Sequence, residues 1–572
     1  MVGKDIHTIK SSGSVRPGIY RSNSSHYAIS ISNSRIVNYD EKGTPLSPED
    51  SSEPFDPETL ERGLKSRHVQ LIALGGCIGT GLFVGTGSAL STCGPAPLLM
   101  SYMIMSSVIF FVMNMLGEMT TFLPLPGNGP QAFVTNYFDP SLGFAAGWNY
   151  WYAFAMLVAA EVTAAAIVVE YWITSVNLAV WITIFLAITI ILNFSSVKYF
   201  GEAEFWFASL KLIGITGLII VGIVIFFGGA PTHDRLGFRY WNEPGAFREH
   251  LVPGSTGRFL AVWTALVKSG FAFICSPELV SVCGAESVAP RRNIPKAANR
   301  FIYRLAFFYV CGTLVIGVIV PYNNERLMQG GSDASASPFV IGIKNAGINV
   351  LDHIINAVIL TSAASAGNSF MYSASRTLYG LACNNQAPKI FTKVNRMGIP
   401  YYAVGASSLF GLLAYLNVSS ASSNVFTWLS NICTISGFIA WLCVALAYLR
   451  WRKAIEYHGL SERVTYRTIL QPYGAYYVLG FIFILTLTNG YAVFFDFKAA
   501  DFVAAYITFP IFLVLYLGHR GYNYFVKGVK QWVTPLEKID LFTGLDLIEE
   551  EAANDPERIP NGILQKIWYW IA

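Results

Sequence analysis

A glycine-rich run in the first long apolar segment is the stretch best suited to binding chemistry. Residues 74–85 read Leu-Gly-Gly-Cys-Ile-Gly-Thr-Gly-Leu-Phe-Val-Gly. Glycine costs a helix interior about 1 kcal/mol relative to alanine, so Gly79 and Gly81 on either side of Thr80 predict a break in the helix. Backbone groups freed within a membrane are tolerated only where protein buries them or where they line a cavity, and the amides that open a half-helix attract anions. We therefore expect Gly79, Thr80 and Gly81 to present their amides to a carboxylate.

Two other interpretations of these glycines stay open. Gly75 with Gly79, and Gly81 with Gly85, are G-x-x-x-G pairs, which let two helix backbones approach each other closely. A dinucleotide-binding loop is disfavoured, because the G-x-G lies inside a long apolar run with no strand before it. Close packing is therefore the main alternative to a carboxylate site.

A second interruption is predicted in the sixth apolar segment. Residues 266–279 read Leu-Val-Lys-Ser-Gly-Phe-Ala-Phe-Ile-Cys-Ser-Pro-Glu-Leu. A proline inside a helix costs about 3 kcal/mol, so the helix is expected to unwind near Pro277. If segments 1–5 and 6–10 are two inverted halves, the two broken helices occupy corresponding positions. That arrangement is typical of a secondary transporter whose substrate binds at the middle of the membrane.

Four ionisable residues lie inside apolar segments, where a charge is costly and therefore indicates function. Glu161 lies in segment 3 and Lys211 in segment 5, while Lys268 and Glu278 flank the break in segment 6. We interpret them as candidates for proton coupling or gating. A buried structural ion pair is the alternative for Glu161 and Lys211. Three further charges close to segment ends are expected to reach the membrane surface: Glu118, Glu286 and Arg376.

The composition indicates an all-α integral membrane protein. Of 572 residues, 53% are hydrophobic and 13% are charged, whereas soluble domains carry about 25% charged residues. The net charge of +4 is too small to indicate nucleic-acid binding. The eight cysteines show neither metal-ligand nor disulfide spacing, so no metal site is expected.

Apolar runs of about 20 residues predict twelve membrane spans. Their expected ranges are 69–93, 96–122, 142–172, 177–194, 203–228, 258–285, 301–320, 348–376, 401–418, 425–449, 473–495 and 501–518. Basic residues collect in the loops between spans 6 and 7, 8 and 9, and 10 and 11, which places these loops and both termini in the cytosol. We thus expect a serine-rich, disordered cytosolic tail at 1–66, a twelve-span domain at 67–520 and a cytosolic tail at 521–572. The N-terminal tail offers serines to kinases, and both tails offer lysines to ubiquitin.

The chain resembles the fungal amino-acid permeases of the amino acid–polyamine–organocation superfamily over residues 60–570. Within that family it is most similar to the proline permeases, because of Lys268, Phe271 and the sequence Ser276-Pro277-Glu278. The motifs that carry the family resemblance are Gly-Gly-Cys-Ile-Gly-Thr-Gly-Leu-Phe, Gly117-Glu118-Met119, Phe205-Trp206-Phe207 before Lys211, Pro277-Glu278-Leu279, Ala285-Glu286-Ser287, Arg291-Arg292-Asn293-Ile294-Pro295, and Lys538-Ile539-Asp540-Leu541 with Thr543-Gly544.

The resemblance implies a five-plus-five inverted-repeat fold with two extra helices, in which helices 1 and 6 are broken. It also implies proton-driven uptake of amino acids across the plasma membrane, with no cofactor. The roles that it implies are substrate-carboxylate binding by Gly79, Thr80 and Gly81; a side-chain pocket of Phe271, Cys275 and Ser276; binding and gating by Glu161 and Lys268; and proton coupling by Lys211, which replaces a sodium site of related transporters.

Several functions remain open at this point. A small neutral amino acid, with proline as the first choice, is the expected substrate, while the pocket chemistry alone also allows alanine, glycine and γ-aminobutyrate. The alternatives to a proton symporter are an exchanger, a facilitator, or a broad-specificity permease that also serves as a nutrient receptor. An enzyme is not expected, because H-E-x-x-H and G-x-S-x-G motifs are absent from the sequence. The expected partners are the amino acid, protons and membrane lipid.

Overall fold

The computed structural model describes residues 28–32, 35–39, 78–123, 129–173, 175–195, 197–274, 276–284, 290–328, 337–418, 422–554 and 562. The chain divides into two compact units, residues Met1–Pro57 and Glu58–Ala572. Cys275 and Glu286, both singled out from the sequence, lie outside the described residues.

The first unit contains a β-hairpin. Strands β1 (Ala28–Ser32) and β2 (Arg35–Tyr39) pair antiparallel, with Ala28 opposite Tyr39 and Ser32 opposite Arg35. The disordered tail predicted over 1–66 did not include this hairpin, although Ile29 and Ile31 alternate with serines as strand residues do. The rest of that prediction falls on residues outside the described ranges.

The second unit is helical, and its long helices correspond to the predicted spans. The bounds are Gly81–Gly85 (π-helix) and Thr86–Cys93 for span 1, Pro95–Phe122 for span 2, Pro140–Val169 for span 3, Leu178–Asn193 for span 4, Val197–Phe226 for span 5, Gly254–Phe273 and Ser276–Gly284 for span 6, Pro290–Ile319 for span 7, Leu351–Cys383 for span 8, Tyr401–Gly411 and Leu412–Val418 for span 9, Ser422–Tyr457 for span 10, Tyr473–Leu487 and Tyr491–Phe494 for span 11, and Ala499–Tyr506 and Thr508–Phe525 for span 12.

Shorter helices lie between the spans and after the last one. These are Pro130–Tyr137, Trp241–Gly245, Glu325–Met328, Pro338–Asn345, Lys389–Thr392, Ser461–Arg463, Leu536–Lys538 and Leu545–Asn554. The last two lie in the segment that follows span 12.

The lengths and compositions of these helices agree with a multi-pass membrane protein. Within the described ranges, nine helices are long and apolar enough to cross a membrane. The two helices of span 12, bent by 42°, add a tenth crossing if the pair is one broken span. Span 4 is a shorter apolar helix of 16 residues, and span 1 is described only from residue 78 onwards. Together these elements match the twelve predicted spans.

The packing pairs three helices of the first half with the helix five places later. Span 2 packs mainly on span 7, span 3 mainly on span 8, and span 1 on the first half of span 6. This pairing is expected if spans 1–5 and 6–10 are two inverted halves around a central axis. Span 3 lies at the centre, since 94% of its apolar window is buried, compared with 33% for spans 5, 9 and 11 at the periphery.

Candidate functional site

Span 1 changes direction where the glycines predict a break. Ile78 and Gly79 form a bend, the helix begins at Thr80, and a π-helix follows over Gly81–Gly85. Two carbonyl oxygens of this region accept hydrogen bonds from serines: Ser362 Oγ donates to Ile78 O and Ser337 Oγ to Phe83 O, both over 2.7 Å. Two carbonyls of the irregular backbone are therefore satisfied by neighbouring side chains, as a membrane interior requires.

Span 6 is interrupted between Phe273 and Ser276, just before Pro277. Its first helix ends at Phe273, Ile274 is extended (φ −61°, ψ 153°), and the second helix begins at Ser276. Pro277 thus lies in the first turn of the second helix, where its missing N–H leaves no hydrogen bond unmade. Tyr309 Oη donates to Ala272 O over 2.7 Å, and Ser276 Oγ donates to Phe273 O.

The two breaks pack directly against each other. A Cβ atom added to Gly81 would lie 2.7 Å from Cα of Ala272, so no larger residue fits there without moving the backbone of span 6. This contact gives direct support to the close-packing interpretation of Gly81. At Gly79 the added Cβ would instead meet the carboxylate of Glu161, 3.1 Å from Oε1. Close packing and a carboxylate site are therefore compatible, with the two glycines serving different contacts.

Glu161 connects the centre of span 3 to the break in span 1. It is 3% exposed, and its Oε1 accepts a hydrogen bond from Thr80 Oγ1 over 3.0 Å. Lys211 of span 5 is also completely buried and lies close enough for its charge to act on Glu161. The structure thus brings Gly79, Thr80, Glu161 and Lys211 into one region.

Glu204 belongs to the same region, and sequence reasoning missed it. It is completely buried seven residues before Lys211, and its Oε1 accepts a hydrogen bond from Ser365 Oγ of span 8 over 2.5 Å. Span 5 was predicted to begin at residue 203, which placed Glu204 at the membrane surface. The helix begins at Val197, so Glu204 lies two turns inside it. Its spacing of seven residues from Lys211 was the available signal, because such residues share one helix face.

The remaining candidates lie around the break of span 6. The half-buried ring of Phe271 meets Phe426 of span 10 edge-on, with centroids 5.7 Å apart. Lys268 Nζ donates to Ser88 Oγ and Thr92 Oγ1, both at 2.9 Å, which ties the first half of span 6 to span 1.

Glu278 lies on the other side of the break, in the first turn of the second helix. Its Oε1 accepts a hydrogen bond from Trp441 Nε1 of span 10 over 2.7 Å. The Lys268 and Glu278 side chains therefore bond to different neighbouring spans and not to each other.

Two charges expected at the membrane surface are buried instead. Glu118 is 2% exposed and accepts hydrogen bonds from Tyr448 Oη (2.6 Å) and from the backbone N–H of Thr468 (2.8 Å). The guanidinium of Arg376, 5% exposed, stacks 4.2 Å from the ring centre of Tyr372. Glu118 was misplaced because the residues that cover it, in span 10 and after it, are remote in sequence. Arg376 was misplaced because span 8, predicted to end at this residue, continues to Cys383.

No group of three or more His, Cys, Asp or Glu side chains suited to holding a metal ion occurs in the part of the chain that the structure describes.

The fold resembles that of a solved transporter. The crystal structure of a manganese transporter from Eremococcus coleocola, in complex with an aromatic bis-isothiourea compound, superimposes with a TM-score of 0.51. The match covers 79% of this chain and 92% of that one at 12% sequence identity, which supports a shared fold and nothing about the cargo.

Sequence comparisons are more specific. The family model for amino acid permeases matches residues 68–532. A proline-specific permease from Emericella nidulans is 54% identical over 532 residues, covering 90% of this chain and 96% of the relative. A proline-specific permease from Saccharomyces cerevisiae is 56% identical over 516 residues, covering 88% of this chain and 82% of the relative. The chain therefore belongs to the amino acid permease family. It is a membrane protein that transports amino acids, not an enzyme.

Proposed function

We propose that this permease imports small neutral amino acids, with proline as the preferred substrate, together with protons across the plasma membrane. The observation that carries the proposal is the contact between the two broken helices beside the buried Thr80–Glu161 hydrogen bond. The proline-specific relatives at 54% and 56% identity support the choice of substrate.

The substrate carboxylate would lie on the amides that open the helix after Gly79. That position combines free N–H groups with the positive end of the helix dipole. It lies next to Glu161, whose Oε1 is 3.1 Å from the position of a Cβ on Gly79. A substrate carboxylate there would be repelled by the negative charge of Glu161 unless a nearby cation offsets that charge, and Lys211 supplies this cation.

The amine would bind carbonyl oxygens at the break of span 6. Two of these carbonyls already accept hydrogen bonds, Ala272 O from Tyr309 and Phe273 O from Ser276. Few lone pairs are then left for the ligand. Proline's secondary amine donates one hydrogen bond fewer than a primary amine, so a site with few acceptors favours it.

The pocket for the side chain would be formed by Phe271, Cys275 and Ser276. The edge-on pair of Phe271 and Phe426 offers an apolar surface for a pyrrolidine ring. The charged residues that flank the break are bonded to the protein, Lys268 to Ser88 and Thr92, and Glu278 to Trp441. To pair with the charged side chain of a lysine or glutamate substrate, one of these residues would first have to give up its existing hydrogen bonds.

A competition assay tests the substrate assignment. Labelled proline uptake is measured in permease-deficient cells that express the full chain, in the presence of excess unlabelled proline, alanine, lysine or glutamate. We expect full inhibition by proline, partial inhibition by alanine and none by lysine or glutamate. Inhibition by lysine as strong as by proline would show that the charge assignments are wrong. Uptake unchanged by a protonophore would favour a facilitator or exchanger.

The orientation and regulation follow from the loops and tails. We propose that both termini lie in the cytosol, because basic residues collect in the loops after spans 6, 8 and 10. The tails would then be accessible to kinases and ubiquitin ligases. An epitope at either terminus should bind its antibody only after the cells are permeabilised, and binding to intact cells would contradict this orientation.

A further inference from the structure

The Glu204 carboxylate lies in a polar region buried between spans 5 and 8. Ser365 donates to its Oε1 over 2.5 Å, and Asn368 and Ser369 of span 8 lie beside the same carboxylate. Asn368 is itself held by span 4, since Asn193 Nδ2 donates to Asn368 Oδ1 over 2.8 Å. A carboxyl group in such surroundings has partners in both its charged and its neutral form.

Span 5 presents Glu204 and Lys211 on the same face. Buried positions follow the spacing 201, 204, 208, 211 and 215, while Trp206 and Ile213, on the opposite side, are each 70% exposed. A membrane helix with this pattern has one face towards lipid and one towards the protein interior. Both ionisable groups therefore belong to the interior face.

Three ionisable groups share this interior. The charge of Lys211 acts on both Glu161 and Glu204. Of the other helices packed on span 5, span 7 carries arginines in its first half, Arg300 and Arg304 among them. Span 8 offers the Ser365 hydroxyl to Glu204, and span 4 bonds to Asn368 through Asn193.

The charges of these three groups do not balance when all are ionised. One ammonium and two carboxylates carry a net charge of −1, which is costly at this depth in a membrane. One added proton makes the group neutral. The group of Glu161, Glu204 and Lys211 is thus suited to take up a single proton.

We propose that Glu204 is the group that carries the transported proton, an assignment that rests on the proposed proton symport. A substrate carboxylate on the Gly79–Gly81 amides lies beside Glu161, so two negative charges then meet at that point. The flexible ammonium of Lys211 is needed there to offset them. Glu204, left without a cation, takes up a proton from the outer side and becomes a neutral carboxylic acid.

Release reverses these steps. Once the substrate has left, Lys211 returns to Glu204, whose carboxyl O–H bond breaks and gives the proton to the inner side. Lys211 stays charged throughout and alternates between two carboxylates. Substrate and proton then bind with positive coupling, since each removes a charge imbalance that the other creates.

The test uses the full chain in proteoliposomes with two measurements. Exchange of labelled for unlabelled proline at equal pH reports substrate binding and alternating access, and accumulation under an inward proton gradient reports coupling. Glu204→Gln keeps the shape of the side chain and fixes it in a neutral form. Glu202→Gln, half-buried two residues earlier on the same helix, is the matched control.

We expect Glu204→Gln to exchange proline but to lose accumulation. A gradient of one pH unit supports up to about tenfold accumulation when one proton accompanies each substrate, since 1.4 kcal/mol corresponds to a factor of ten. The wild type and Glu202→Gln should approach that value, and Glu204→Gln should stay at equilibrium with the medium. Glu204→Asp, which keeps a carboxyl group, should recover part of the accumulation.

Two other results would count against different claims. Accumulation by Glu204→Gln equal to that of the wild type would overturn the role of Glu204 alone. A wild type that exchanges proline but does not accumulate it would overturn the proposed symport.

If Glu204→Gln does not fold, Ser365→Ala provides the test. Loss of the hydroxyl that bonds the Glu204 carboxylate disfavours its charged form, so the pH profile of uptake should move to higher pH. An unchanged profile would refute the assignment.

Discussion

At the scale of single residues, the two glycines of the span 1 break should respond differently to the same substitution. Gly81→Ala places Cβ 2.7 Å from the Ala272 backbone, and overpacking of this kind costs about 1–3 kcal/mol. We expect a lower yield and melting temperature of the purified protein. Gly79→Ala meets side-chain atoms and no backbone, with Glu161 Oε1 at 3.1 Å and Ala366 Cβ at 3.4 Å, so the protein should fold and bind proline more weakly. The opposite pattern in stability and KM would contradict these assignments.

The lysine of span 5 is predicted to be essential for energy coupling. Lys211→Met keeps the bulk of the side chain and removes its positive charge, so nothing would offset Glu161 when a substrate carboxylate binds. We expect proton-driven accumulation to be lost, and accumulation by Lys211→Met that still follows the imposed gradient would refute this role. Lys268→Met is the comparison, because it removes a lysine whose hydrogen bonds go to Ser88 and Thr92.

Residue types pointed to the buried charged groups of the candidate site, but not to the partner of each side chain. Buried charge is costly, which pointed to Glu161 and Lys211 directly. The same rule did not show that Glu278 is bonded to a residue of the protein. Its described hydrogen bond comes from Trp441, and a partner 163 positions away cannot be read from local spacing. The assignment of Gly79, Thr80, Gly81, Phe271, Cys275 and Ser276 to substrate binding stays a prediction.

At the scale of elements, the positions of the helix breaks were predictable, but the start of span 5 was not. Glycine and proline act locally, so both interruptions fell within a few residues of their expected positions. The start of span 5 was placed six residues late, because Val197 to Glu202 mixes polar and apolar residues. That small error concealed Glu204.

The segment after span 12 forms an element that the sequence indicated only in outline. Ile539, Leu541 and Leu545 are buried, and the Thr534 N–H donates to Phe138 O over 2.8 Å. On the final helix, Glu549 Oε2 accepts a hydrogen bond from Arg463 over 2.6 Å. This segment is therefore packed on the helical bundle.

We expect the Arg463–Glu549 contact to add to stability in a pH-dependent way. The hydrogen bond from Arg463 lowers the pKa of Glu549 below its ordinary value, so the stabilisation is present above about pH 4.3, the unfolded value, and is lost as the pH falls through the lower folded value. Because both side chains are partly exposed, the effect should be about 1 kcal/mol or less.

Thermal unfolding of purified protein at pH 7 and at acidic pH measures this effect. Glu549→Gln should melt at a lower temperature than the wild type at pH 7, and the difference should shrink in acid. Glu550→Gln, an exposed neighbour on the same helix, should behave as the wild type. Equal melting temperatures for all three at pH 7 would show that the contact does not stabilise the protein.

At the scale of the whole molecule, composition and hydropathy were sufficient to predict an all-α membrane protein with twelve spans. Apolar runs fix the number of spans because each must cross the same thickness of membrane. The pairing of spans 2 with 7 and 3 with 8 was not readable from any single helix. It depends on the inverted repetition of the two halves, which the matching breaks in spans 1 and 6 already suggested.

The central claim is that proline and protons cross the membrane together, and a direct flux measurement tests it. Full-length protein is reconstituted in vesicles that contain a pH-sensitive dye, at equal pH inside and outside, and proline is added outside. We predict acidification of the vesicle interior that proline causes, lysine does not, and Glu204→Gln abolishes while still admitting labelled proline. Entry of labelled proline into wild-type vesicles with no change in internal pH would contradict the account.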